Sequence, residues 1–133
     1  MLYIGQDPRR EYLKQNVMTA GPAGLIAMLY DACIKNIKLA EISYEEKKDI
    51  CATSNYLLRA QKIVSELISC LDMSMELSSS LLRIYEFILR ELRIANAKKD
   101  MKKLDPLIPI LESMRDTWRE VDGLQRKSMT VEC

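Results

Sequence analysis

Apolar residues in this chain recur at spacings of three and four along four separate stretches, and no polar–apolar alternation with turn chemistry interrupts them. That period belongs to helices with a wetted face, not to strands. The chain has 133 residues but only four glycines and four prolines. Little material is left for turns, so the elements must be few and long. Helices joined by short corners run antiparallel to their neighbours. The predicted fold is therefore all-α: an antiparallel four-helix bundle behind a short N-terminal helical or extended segment. The length allows one domain with a real core, and no internal repeat is present.

Local signals place the boundaries. Asp7 as cap and Pro8 at the first helical position open a short helix over 7–15, which Val17 to Gly21 breaks. The first long helix starts with Gly21 as cap and Pro22 at its first position and runs to about Ser43. Two signals compete for the next start: Ser43 with Glu46 forms a capping box, and Asp49 can cap a later helix. We place the bend between them, with the second helix from about Ile50 to Leu71. Asp72 or Ser74 caps the third helix, which carries Glu76 in its first turn and ends near Ala95. Pro106 and Pro109 make residues 100–109 a short or kinked segment before a fourth helix through Leu111, Trp118 and Val121. Gly123 ends that helix. The predicted division is a segment over 1–18, a bundle over 19–122 and a loose tail over 123–133.

The residue inventory excludes much chemistry. There is no histidine, which removes the commonest general base, histidine-based triads and di-iron Glu-x-x-His pairs. No glycine-rich loop cradles a phosphate. Cys33, Cys51, Cys70 and Cys133 are scattered without a CxxC pair and read as reduced, mostly buried thiols. A net charge of +1 gives no global field toward nucleic acid or an anionic membrane. The basic cluster Arg93, Lys98, Lys99, Lys102, Lys103 is interrupted by Asp100 and has no interleaved aromatic, so it reads as a solvated loop. No signal peptide and no apolar run of membrane-spanning length is visible. The expectations are a cytoplasmic protein with no cofactor, no metal, no enzymatic activity, no nucleic-acid partner and no membrane insertion.

The apolar residues exceed what one face needs. In "TAGPAGLIAMLYDACIKNIKLA" (19–40), one stripe holds Leu25, Met28, Leu29 and Ala32, and a second holds Ile26, Tyr30, Cys33, Ile37 and Ala40. The second helix has a main stripe of Ile50, Leu57, Ala60, Val64, Leu67 and Leu71, with Tyr56, Ile63 and Cys70 beside it at heptad spacing. The third has Leu77, Leu81, Ile84, Tyr85, Ile88, Leu92 and Ala95, with Phe87 and Ile94 alongside. A wide core accounts for such arcs in part, and tyrosines often sit at core edges with a wet hydroxyl. The alternatives are a groove covered by another segment of the chain, a second copy of the chain, or another protein. Residues 1–18, with Leu2, Tyr3, Ile4, Tyr12, Leu13, Val17 and Met18, form an apolar segment able to lie over such a groove as a lid.

The stretch "NVMTAGPAGLIAMLYDACIK" (16–35) resembles the opening of the first helix in the flagellin-specific export chaperones, the FliS family, where T-A-S-P and then M-L-Y-D-G-A-I is typical. "RAQKIVSEL" (59–67), "LD" (71–72), "IYEFILREL" (84–92), "ANAKKD" (95–100) and "RDTW" (115–118) continue the match over about residues 7 to 121. Departures are Arg9 in place of the first tyrosine of N-P-Y-x-x-Y, Gly21 for serine, Ala32 for glycine, a corner near residue 72 without paired glycines, and Pro106 and Pro109. The resemblance implies an antiparallel helical bundle. It also implies a partner, the disordered C-terminal region of flagellin, kept from premature polymerisation and escorted to a component of the flagellar export apparatus. A flagellar regulatory protein is a further implied partner. Tyr12 comes from the family's N-terminal motif; Met18, Tyr30, Ile37, Tyr56 and Ile63 come from the stripes as candidate partner-binding residues. Tyr30 fits a core edge as well as a groove wall.

Overall fold

The computed structural model describes residues 22–132, and side chains over 22–125. Helix α1 spans Pro22–Glu45, α2 Ile50–Ser69, α3 Glu76–Lys98 and α4 Leu107–Glu132, with a 3-10 turn at Met101–Leu104 between α3 and α4. No strand occurs among the described residues. The chain runs up, down, up and down. α1 is the central helix, packed against α2 on one side and α4 on the other, while α3 packs on α2. α3 and α4 meet mainly through the 3-10 turn. The four-helix bundle is therefore closed at one end and parted along the α3–α4 side.

The corners follow from local chemistry. Asp49, not the Ser43–Glu46 pair, starts α2: its carboxylate accepts from the Ala52 N–H at 3.0 Å. Ser43 is buried inside α1, and Lys48 takes the left-handed conformation (φ 54°) to turn the chain before the cap. α3 starts at Glu76 with Met75 as a cap that makes no side-chain bond. Neither Asp72 nor Ser74 caps it. The Asp72 carboxylate instead accepts from the Ser74 N–H and hydroxyl at 3.0 and 2.6 Å, closing a local turn before the helix. α3 continues to Lys98, one turn past Ala95, and stops at Lys99 in the left-handed region. Asp100 then caps the 3-10 turn.

Two expectations about α4 are corrected. Pro109 sits in the first turn of a helix that begins at Leu107. N–H groups there have no intrahelical acceptor, so proline removes nothing. Gly123 does not end the helix, and residues 123–132 are helical rather than a loose tail. A glycine inside a helix costs about 1 kcal/mol against alanine, too little to stop one with flanking helix formers.

The core holds Tyr30, Cys33, Ile34, Ile37 and Ala40 of α1 against Leu57, Ala60, Val64 and Leu67 of α2 and Tyr85, Ile88, Leu92 and Ala95 of α3. Met101 and Leu104 of the 3-10 turn, with Leu107 and Leu111, plug the end where α3 meets α4. Glu41 lies half-buried beside Asp105 at this plugged end. Desolvation, then the Asp105 hydrogen bond and charge, push its carboxyl up to about 7. The folded chain thus holds this proton when the unfolded chain has released it, and stability falls as pH rises from about 4.5 to about 7. Glu41→Gln, which keeps a donor for Asp105, is expected to raise stability at pH 8 by on the order of 1 kcal/mol after allowance for solvent screening. Little change is expected at pH 4.5. Urea unfolding at the two pH values checks this; an equal gain at both would mean that the proton is not responsible.

Candidate functional site

The described residues do not fill the end of the bundle opposite the plug. α3 begins there and the second half of α4 ends there, and beyond Leu111 no described residue of α4 is fully buried. The gap leaves an apolar pocket of about 170 Å³. Ile26 of α1, Leu67, Cys70 and Leu71 at the end of α2, Met75, Leu77, Leu81 and Tyr85 of the next corner and α3, and Trp118 of α4 line it. The rim continues outward as apolar surface. Met73, Met75 and Leu77 are 55%, 60% and 62% exposed, and Ile84 is exposed as well. Large apolar side chains gathered at one end mark a binding surface more than a solvated corner, and methionines adapt their shape to irregular partners.

The floor of the pocket is Tyr85, backed by a second phenol, Tyr30. The Tyr30 and Tyr85 hydroxyls lie 2.5 Å apart, with ring centroids 6.3 Å apart. Both residues are buried. Burial pushes both phenols above the ordinary tyrosine range, so they stay neutral and serve as each other's partner. The Trp118 side chain reaches the same Tyr30 hydroxyl. α4 is held beside the floor by Asp31, whose carboxylate accepts from Arg115 at 3.1 Å and from Arg119 at 2.5 Å. "MLYD" and "RDTW" thus meet across α1 and α4, and the meeting sets Trp118 as a wall.

The predicted site residues divide. Tyr12 and Met18 lie outside the described residues. Tyr30 and Ile37 are fully buried in the core and present no surface, which corrects their assignment as partner-binding side chains. The physical reason is the central place of α1: a helix flanked on both sides needs a wide apolar arc, and Tyr30, Cys33, Ile37 and Ala40 are its inner face. The accessible side carries Leu25, Met28 and Leu29 instead. Tyr56 and Ile63 are half-buried against the core and do not line the pocket. Cys70 of the same stripe is exposed and does line it. Leu77 and Ile84, read as core, are exposed, and so is Ile50.

Sequence reasoning missed Met73 and Met75. The signal was present: "LDMSMEL" places Leu71, Met73 and Met75 in a corner where polar residues are usual, with Leu77 just inside the next helix. The cysteines also differ from expectation. Cys33 is buried, its thiol pushed up to about 12 by burial, whereas Cys51 and Cys70 are exposed. Among the described residues no group of three or more cysteines, aspartates or glutamates is placed to hold a metal ion. Among the described residues no helix is long and apolar enough to cross a membrane.

The phenol pair generates a prediction. Tyr30→Phe alone strands the buried Tyr85 hydroxyl and is expected to cost about 1–2 kcal/mol, and Tyr85→Phe, which leaves Tyr30 the Trp118 side chain, less. The double phenylalanine variant is expected to cost no more than Tyr30→Phe alone. Urea unfolding of the four chains as a double-mutant cycle reads the coupling, and additive losses would contradict it.

Comparison with known proteins places this geometry in company. Residues 5–125 match the family described as "Flagellar protein FliS". The chain is 34% identical over 122 residues to the Flagellar secretion chaperone FliS of Bacillus subtilis (strain 168), covering 92% of this chain and 91% of that relative. Identity is 27% over 108 residues to the protein of the same name in Salmonella typhimurium (strain LT2), covering 79% of each. It is 25% over 118 residues to that of Vibrio cholerae serotype O1, covering 87% and 86%.

Proposed function

Since the chain belongs to the FliS family of flagellar secretion chaperones, we propose that its apolar end receives the disordered C-terminal segment of flagellin. In this reading the chaperone keeps flagellin from polymerising in the cytoplasm and escorts it to the export apparatus. The observation that carries the reading is the unfilled pocket continued by the exposed rim of Met73, Met75, Leu77 and Ile84. A segment that folds on binding loses several kcal/mol in ordering. About 1,000 Å² of apolar burial gives a gross gain of about 25 kcal/mol, most of it consumed by ordering and association. A pocket alone is too small for that; a pocket with an apolar rim is the start of such a footprint. Helix-in-groove docking uses apolar anchors at helical spacing and needs no catalytic group.

The contacts in this reading centre on Met75, Leu77, Leu81 and Trp118, with Tyr56 and Ile63 as a lateral margin. Met75→Asp with Leu77→Asp is expected to abolish capture of purified flagellin while leaving the helical melting transition in place, because both residues are exposed. Flagellin lacking its C-terminal segment is expected to be ignored by the unaltered chaperone. Equal capture of truncated flagellin would sink the reading.

The chain enters the bundle at Pro22, one turn before Ile26 in the pocket wall. That entry point supports residues 1–18 as a lid over the pocket in the free chaperone, Tyr12 and Met18 among its contacts. Removing residues 1–17 is then expected to raise the fluorescence of a dye that binds exposed apolar surface. An unchanged signal would dismiss the lid.

A further inference from the structure

A second, chemically different concavity of about 590 Å³ lies across the outer sides of α2 and α3. Arg59, Lys62 and Arg93 supply its charge, Asn55 and Gln61 its neutral polar groups, and Leu58, 54% exposed, an apolar point among them. The ion pairs of the described residues lie elsewhere: they join α1 to α4, α3 to the 3-10 turn, or neighbours within α4. None uses Arg59, Lys62 or Arg93. With a net charge of only +1 over the chain, three uncompensated cations in one concavity are a local concentration and not a share of a global excess.

The guanidinium of Arg59 stands 5.6 Å from the centre of the Tyr56 ring, and Arg90, one turn before Arg93, stands 5.8 Å from that of Phe87. Stacking on a ring restrains a long side chain before any partner arrives and leaves its donors free for carboxylates. The same stacking covers the two rings, which are half-buried in any case, so the face offers no open aromatic platform for bases. A phosphate backbone also has no use for Leu58. Carboxylates arranged around one apolar side chain match all of these groups.

We infer that this α2–α3 face is a second docking surface, made for an acidic helical segment of another protein that carries carboxylates around one apolar side chain. Its lining shares no residue with the apolar pocket. The pocket and the basic face can therefore be occupied together, meeting only at Tyr56, which Arg59 covers, so that a loaded chaperone is recognised through its basic face while the client is still held. Charge complementarity of this kind steers encounter and weakens with salt.

The test uses the full chain and a labelled helical peptide of glutamates with one central leucine, followed by fluorescence anisotropy. Binding is expected at low salt and should weaken as salt rises. Arg59→Glu with Arg93→Glu is expected to reduce affinity about tenfold or more, the glutamine pair to reduce it less, and Lys35→Glu with Lys47→Glu, on α1 and the corner just after it, to leave it unchanged. Circular dichroism checks that each variant keeps its helices. Saturating the chain with the flagellin C-terminal segment is expected to leave peptide binding intact, and this arm alone leans on the flagellin reading. Equal loss in the α1 control, displacement by the flagellin segment, or tighter binding of single-stranded DNA through the same arginines would each overturn the inference.

Discussion

The hydrogen bond between Tyr30 and Tyr85 is the constraint around which this bundle is arranged. Two hydroxyls that have left water need a partner, and each is the other's. α1 and α3 are not packed side by side; α2 lies between them. The phenol pair spans that gap, fixes how deeply α3 leans toward α1, and marks where the packed core ends. On one side of it Ile88, Leu92, Met101, Leu104 and Leu107 are buried without interruption. On the other side α3 and α4 part, and the surface that would have been core becomes a pocket.

How far this was legible in the sequence depends on the kind of signal. Asp49 was readable because capping is local: a carboxylate three residues before an N–H competes with few alternatives. The extent of α4 was misread for the same reason in reverse, since Gly123 is a weak local signal that flanking helix formers outweigh. The four helices and their order followed from spacing alone. The candidate site did not. Periodicity reports which residues are apolar on a helix, but not whether the neighbouring helix is long enough, or close enough, to cover them. Tyr30 and Ile37 belong to the same stripe logic as Tyr56 and Ile63, yet two are interior and two are marginal. The surplus is densest at the open end, where "LDMSMEL" turns the corner, while Ile42, Ile50 and Leu58 are exposed singly elsewhere.

The two ends differ in what holds them. The plugged end rests on fully buried leucines, each contributing on the order of 2–3 kcal/mol through burial. The open end is held by Asp31 with Arg115 and Arg119, partly exposed pairs of a class usually worth less than about 1 kcal/mol, and by the edge contacts of Trp118 and Met114. Local stability follows buried apolar contact, so the molecule is firm at the plugged end and compliant at the open one. Family membership and this asymmetry agree: a holder of unfolded clients needs a rigid body and an adaptable mouth.

One detail of that mouth has a practical side. Trp118 is the chain's single tryptophan, and it forms a wall of the opening rather than part of the sealed interior. Under the proposed reading its indole is an intrinsic optical gauge: ultraviolet emission from the untagged chaperone would report occupancy of the cleft, with no background from a second such ring in the same chain. Loading and release can be timed on the native molecule, without a dye and without altering a residue.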